Sequence, residues 1–238
     1  MQNYIWLIEN KWKEKSIPDN EDLIDLFVKN PLPLNFPPGT KFSYCNTGYA
    51  ILASVIERVS GKHYGIFLKE NIFDTLGMHN TYAGKSFYTD TLHNRAKGYV
   101  RRGGRLIQYE DDHNDGIVGD KGVYASAADL LKWDAALYTD ILLPQEKINQ
   151  LFVKNVTLKG DTFCYGLGWR LPKNDYPKMV YHNGWWHGYR ATIRRYIDDR
   201  NTLIILNNTN KNIFPVINEI QSFLYPEITP NDTTGLAE

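Results

Sequence analysis

Apolar positions in the first 150 residues recur at helical spacing. Leu23, Ile24, Phe27 and Val28 fall on one face of a segment capped by Asp19 or Asn20 and ended by Asn30-Pro31. Ile51, Leu52, Val55, Ile56 and Val59 repeat the pattern in a longer segment, with Asn46 or Thr47 as the cap and Gly61 as the stop. Residues 1–15 mix aromatic and charged positions as an amphipathic helix does. A short helix is expected over 64–71, followed by a turn carrying core side chains through Met78. Ser126 opens a helix to about Leu137, with Asp129 placed to complete a capping box. Pro144 starts another through about Val153. Residues 83–122 read as irregular, with a hairpin between Lys97 and Gln108 around Arg102-Gly103-Gly104.

After residue 155 the period changes. Residues 162–171, 179–182, 190–197 and 203–206 read as strands, separated by Gly, Asn and Asp-Asp turns. Such short links imply an antiparallel meander. An amphipathic helix over 213–224 follows. The expected fold class is α+β in a single domain. A mainly helical lobe covers 1–155, strands and a closing helix cover 156–226, and 227–238 form a loose tail.

Composition adds exclusions. Lys plus Arg number 27 and Asp plus Glu 27, so the formal net charge is zero and nothing draws the chain to nucleic acid. No apolar run is long enough for a membrane span, and the first residues lack the basic start and apolar stretch of a signal peptide. The two cysteines, Cys45 and Cys164, read as free thiols, although one pair alone does not exclude a bridge. Asp111-Asp112-His113-Asn114-Asp115-Gly116 fails as a calcium loop, because His113 holds a ligand position and Gly122 stands where the closing Glu belongs. The six histidines show no zinc spacing, so no metal and no cofactor are expected.

Three stretches remain as candidate chemistry. In Pro37-Pro38-Gly39-Thr40-Lys41-Phe42-Ser43-Tyr44-Cys45-Asn46 a turn leads into a polar loop backed by a helix. Tyr44 can act as a general acid or base there, and Asn46 can orient it or hold a substrate amide. The competing account is a packed Tyr and a helix-capping Asn. In Tyr181-His182-Asn183-Gly184-Trp185-Trp186 a strand places a titratable His182 beside a glycine that admits close approach of a backbone or ligand. The competing account is a surface hairpin with an aromatic cluster. The third stretch, Gly119 to Leu130, reads as a glycine turn delivering a capped helix.

Taken in register, these stretches resemble the serine β-lactamase and penicillin-binding-protein-like hydrolases, in particular the class C β-lactamase, DD-peptidase and esterase branch. The resemblance rests on Pro38-Gly39-Thr40-Lys41-Phe42-Ser43-Tyr44-Cys45-Asn46, Gly48-Tyr49 through Ser60-Gly61, Leu76-Gly77-Met78, Gly122-Val123-Tyr124-Ala125-Ser126 through Asp129-Leu130 and Trp133, and His182-Asn183-Gly184. It implies acyl transfer on a small-molecule or peptide substrate such as a β-lactam, a D-Ala peptide or an ester. Tyr44 takes the proton-transfer role and Asn46 the hydrogen-bonding role. His182 stands on the cleft strand, Asn183 and Gly184 line it, and the Trp185 N–H supplies an oxyanion donor. The family's Ser-x-x-Lys nucleophile motif has no counterpart: Ser16, Ser43, Ser54, Ser60, Ser86, Ser126 and Ser222 are followed three residues on by Asp, Asn, Glu, His, Thr, Asp and Tyr. The expectation is therefore an incomplete β-lactamase/transpeptidase-like fold, N-terminally truncated and inactive alone. Two alternatives stay open, a non-catalytic peptide- or glycan-binding remnant and one half of a split hydrolase that takes an N-terminal partner segment. Cys45 as a substitute nucleophile lacks a matched base. Full-length relatives in the resembled family are often exported or periplasmic.

Overall fold

The computed structural model describes residues 3–84, 94–173 and 178–227. They divide into two compact units, one of Met1–Arg95, Glu110–Lys132 and Thr157–Lys159, the other of Ala96–Tyr109, Trp133–Val156 and Gly160–Glu238. In chain order the elements are α1 (Tyr4–Lys11), α2 (Asn20–Lys29), α3 (Asn46–Ser60), α4 (Tyr64–Leu68), β1 (Tyr82–Ala83), β2 (Tyr99–Arg102), β3 (Arg105–Gln108), β4 (Val123–Tyr124) and α5 (Ala127–Ala136). There follow α6 (Gln145–Gln150), β5 (Asn155–Val156), β6 (Thr162–Phe163), β7 (Met179–Trp186), β8 (Tyr189–Tyr196), β9 (Asn201–Asn207) and α7 (Phe214–Leu224).

The first unit is helical, and local chemistry starts and stops its helices. Asp19 accepts from the N–H groups of Glu21 and Asp22 while Asp22 reaches back to the Asp19 N–H, so α2 opens on a reciprocal box. Gly61, at φ 68°, ends α3 with its N–H on the Glu57 carbonyl at 2.8 Å. Tyr4, Leu7, Ile8, Leu23, Leu26, Ala50 and Ile117 form the core of this unit. Buried Asn20 locks it: its Nδ2 donates to the Ala50 and Val118 carbonyls at 3.0 Å each, and its Oδ1 accepts from the Val118 N–H at 2.8 Å. Every polar atom of that side chain thus has a partner, which removes most of the penalty of burying it.

Two helical faces differ from expectation. In α2 the buried positions are Leu23 and Leu26 with Phe27 packed beside them, while Val28 is 75% exposed. In α3 the buried face is Thr47, Ala50, Ala53 and Ser54, whereas Leu52, Val55 and Val59 point outward. The cause lies in the neighbouring chain. A Cβ on Gly119 would lie 2.5 Å from the Tyr49 carbonyl oxygen and 2.7 Å from the Ala53 Cβ. Only a small-residue face admits a backbone that close, so the aliphatic stripe faces away. Asp129 also departs from the box: its N–H takes the Ser126 hydroxyl, but its carboxylate turns to the Asn80 N–H (2.7 Å) and the Thr81 hydroxyl (3.0 Å).

The second unit is built on the meander β7-β8-β9, all antiparallel. The β7–β8 hairpin runs further than the sequence pattern suggests, pairing Trp186 with Tyr189 across His187-Gly188. The expected strand over 162–171 is mostly absent. Beyond β6 only bridges at Tyr165 and Arg170 remain, because Gly166 packs against the Leu151 carbonyl and Gly168 bends the chain at φ 83°. The β2–β3 hairpin turns on Gly103-Gly104, both at positive φ. Leu137, Ile148, Trp169, Leu171 and Val180 form one core cluster, and Met179, Tyr181, Tyr196 and Tyr225 a second around the sheet and the end of α7. The loose tail expected over 227–238 lies almost wholly outside the described residues.

Candidate functional site

The six site residues predicted from sequence fall in two groups, one in each unit. Tyr44 and Asn46 belong to the first unit. The Thr40 N–H and hydroxyl both meet the Pro37 carbonyl, at 3.2 and 2.7 Å, in a turn whose Gly39 sits at φ 76°. The Leu158 N–H then donates to the Gly39 carbonyl at 2.7 Å and pins the turn. The chain next runs extended to Cys45, the N-cap of α3, and Asn46 is the first helical residue. The Cys45 side chain makes no cap hydrogen bond to this 15-residue helix, and the positive end of the helix dipole lies at the half-buried Tyr44-Cys45-Asn46 corner. Such a field favours negative charge, as on a phenolate or an oxyanion. Cys45 and Cys164 are both free thiols.

Behind that corner lies a cluster that the sequence reading missed. The Tyr4 N–H donates to the Thr47 hydroxyl at 2.9 Å, in the first turn of α3. The Tyr4 hydroxyl donates to Asp120 Oδ2 at 2.9 Å and accepts from Lys121 Nζ, which lies 3.4 Å from Asp120 Oδ1. These charged side chains are only 1% (Asp120) and 9% (Lys121) exposed. Burial pushes the Asp120 carboxyl up to about 7 and the Lys121 ammonium down to about 7. The signal was present as an Asp-Lys pair bracketed by Gly119 and Gly122.

His182, Asn183, Gly184 and Trp185 belong to the second unit and lie on β7. His182 Nδ1 is 2.8 Å from the Asn183 carbonyl, which only accepts, so Nδ1 carries the proton. Nε2 then accepts from the Tyr165 hydroxyl at 3.2 Å. Burial first, and the nearby Arg170 cation second, push His182 down to about 4, so it is neutral at physiological pH. Tyr165 is thus the partner that orients His182. Its signal was the Tyr165-Gly166-Leu167-Gly168-Trp169 run, whose glycines fold Tyr165 back beside β7. Asn183 Oδ1 accepts from the Thr192 hydroxyl at 2.8 Å. The Trp185 ring, 58% exposed, carries the Arg190 guanidinium 3.9 Å above it. At Gly184 an added Cβ would meet only the Ala191 Cβ, at 3.6 Å, which is ordinary contact. At Gly188 it would collide with the backbone of Gly98 and Tyr99. Gly188 is therefore demanded by internal packing and Gly184 is not.

The Asp111–Gly116 region that fails as a calcium loop is a short turn. Asp112 accepts from the Asn114 N–H and Asp115 from the Asp112 N–H, so both carboxylates serve as caps.

A helical unit and an antiparallel meander closed by a C-terminal helix, carrying Tyr-x-Asn and His-x-Gly signatures, define the β-lactamase/transpeptidase-like class. The beta-lactamase family model matches residues 14–221, and the chain belongs to that family. It is 33% identical over 214 residues to penicillin-binding protein 4* of Bacillus subtilis, covering 85% of this chain and 47% of that protein. It is 26% identical over 176 residues to a D-aminopeptidase of Cereibacter sphaeroides, covering 73% of this chain and 33% of that protein. The solved penicillin-binding protein of Bacillus halodurans superposes with a TM-score of 0.75 at 25% identity, over 93% of this chain and 68% of that one. The chain therefore spans half or less of the length of these curated relatives. Among the described residues no helix is long and apolar enough to cross a membrane.

Proposed function

We propose that this chain carries two parts of a serine-hydrolase acyl-transfer site for amide or ester substrates, and that it does not turn them over alone. The observation that carries the reading is the Tyr44-Cys45-Asn46 corner at the start of α3, inside a family match that runs from residue 14 to 221. Tyr44 moves the proton, favoured by the helix dipole, and Asn46 holds the substrate amide. On β7 His182 is held neutral and oriented by Tyr165, Asn183 and Gly184 line the substrate, and the Trp185 N–H donates to the oxyanion. The D-aminopeptidase relative supports an amide of a D-residue as one substrate class. Nucleophilic attack needs a serine activated by a neighbouring base, and no Ser-x-x-Lys occurs among the 238 residues. An N-terminal partner segment bringing that motif would complete the chemistry.

Incubation with nitrocefin, p-nitrophenyl esters, D-alanine p-nitroanilide and a fluorescent penicillin tests this. The expected result is no turnover and no covalent label, with weak saturable binding of a D-Ala-D-Ala peptide that Tyr44→Phe and Asn46→Ala diminish. Turnover that Tyr44→Phe abolishes would overturn the inactivity. Absence of binding to every one of these ligands would overturn the substrate class.

A further inference from the structure

Asp120 and Lys121 are buried charges that folding alone does not account for. Apolar side chains of the same volume often match or exceed the stability of a buried ion pair, and such pairs collect at working sites. This pair lies wholly within the first unit, and two links set its register on α3. The first is the turn that carries it. Gly119, at φ 107°, brings the backbone against α3, where an added Cβ would lie 2.5 Å from the Tyr49 carbonyl oxygen. The Gly119 N–H donates to the Lys121 carbonyl at 3.2 Å, and the Gly122 carbonyl accepts from the Gly84 N–H at 2.9 Å, so the turn is held on both sides.

The second link is Tyr4, which is fully buried. Its N–H donates to the Thr47 hydroxyl in the first turn of α3. Its hydroxyl bridges the pair, donating to Asp120 Oδ2 and accepting from Lys121 Nζ. Lys121 Nζ also stands 4.7 Å from the centre of the Tyr4 ring, a cation–π contact. One side chain thus ties both charges to the helix start that carries Cys45 and Asn46. The field of the pair extends beyond its own bonds: the buried Tyr64 phenol on α4 is pushed up by burial first and by the Asp120 charge second. At the start of α3 the Lys121 cation favours a negative charge and the Asp120 anion opposes it.

We propose that Tyr4, Asp120 and Lys121 are a positioning unit for the Tyr44-Cys45-Asn46 corner, in which Tyr4 anchors the first turn of α3 and the Asp120–Lys121 pair sets how readily the corner holds negative charge. This deepens the acyl-transfer reading and rests on it for the role of Tyr44. The corner can also be read through the Cys45 thiol with no substrate present, so the two readings fail separately.

The measurement is the rate of Cys45 alkylation by iodoacetamide at one fixed pH near neutrality, on the full chain in a Cys164→Ser background. Only the thiolate reacts, so the rate follows the potential at the N-cap of α3. Lys121→Met is expected to slow alkylation by about twofold or more, and Asp120→Asn to speed it by about as much. Lys121→Arg, which keeps the cation, should stay near the parent rate. A merely structural role would loosen the start of α3 in both neutralising variants and move both rates the same way. Where Lys121→Met fails to fold by circular dichroism, Lys121→Gln carries the same comparison. Tyr4→Phe removes the bridge and keeps an amide at position 4, whose hydrogen exchange should then rise about tenfold. Rates that move in the same direction, or either rate unchanged, would overturn the electrostatic role of the pair. Unchanged exchange at position 4 would overturn the anchoring role of Tyr4.

Discussion

Arg194 and Arg195 are neighbours on β8 and both are fully buried, yet they sit on opposite faces of the sheet in opposite circumstances. Arg195 is matched. Its Nε donates to Asp134 Oδ1 and its Nη2 to the Asp134 carbonyl at 3.2 Å, while the Thr202 hydroxyl donates to Asp134 Oδ2 at 2.8 Å. The rings of Tyr138, Phe152 and Trp169 surround its guanidinium. Arg194 has only the Tyr181 ring, 4.7 Å from its guanidinium carbon, and none of its three side-chain nitrogens has a hydrogen-bond partner among the described residues. Burial pushes its pKa down, but a guanidinium does not give up its proton in a protein, so the charge remains. A strand can therefore carry the same side chain twice, once as a tie and once as a liability. His182, on β7, shows a third course: a base that burial renders neutral, with both ring nitrogens bonded.

The largest effect should come from breaking the matched side. Asp134→Asn leaves Arg195 charged, buried and short of its counter-ion, which typically costs about 3–5 kcal/mol. Urea denaturation should show a midpoint lowered in proportion with an unchanged slope. A loss under about 1 kcal/mol would mean that Arg195 finds another acceptor and that the contrast with Arg194 is false.

The neutral base gives the next effect. His182 titrates near 4 when folded and near 6.5 when unfolded, so between these values the unfolded chain binds more protons. The contribution is fully present above pH 6.5 and is lost as pH falls toward 4, by at most about 1.4 kcal/mol per pH unit. Subtracting the stability profile of His182→Gln from that of the parent isolates this slope. Tyr165→Phe removes the donor to Nε2 that favours the neutral ring, so it should raise the folded pKa and narrow the window. A His182 resonance titrating at 6.5 in the parent would refute the buried, bonded state.

Arg194 should behave in the opposite sense to Arg195. Arg194→Met replaces an unpartnered buried cation by an apolar side chain of similar length, and loses only the contact with Tyr181. The expected result is a gain of the order of 1 kcal/mol. A large loss would show that Arg194 has an acceptor after all, and the two faces of β8 would then be alike.

None of these charged relationships was legible in the sequence, and the reason is separation. Asp134 and Arg195 are 61 positions apart, as Tyr165 and His182 are 17 apart, and no local period links them. What could be read was local: the α2 cap at Asp19, the Gly61 stop, the Gly103-Gly104 hairpin, the antiparallel meander and α7. Periodicity also misjudged α3. It registers where aliphatic side chains recur, whereas the close approach of Gly119 selects the side with alanines. The expected strand over 162–171 failed for a related reason: its glycines at 166 and 168 bend the chain, and that bend is what brings Tyr165 to His182.

The smallest effect concerns Gly184, two residues beyond His182 and on the same face of β7. Since an added Cβ there meets only Ala191 at an ordinary 3.6 Å, Gly184→Ala should change stability by less than about 0.5 kcal/mol. Gly188→Ala should cost several times more, because its Cβ would push into the Gly98–Tyr99 backbone. Folding therefore explains Gly188 but not Gly184. If Gly184 serves close approach of a substrate backbone, Gly184→Ala should weaken binding of the D-Ala-D-Ala peptide while thermal unfolding stays where it was. Equal losses of stability in the two variants would make Gly184 a packing residue like Gly188, and would remove it from the site.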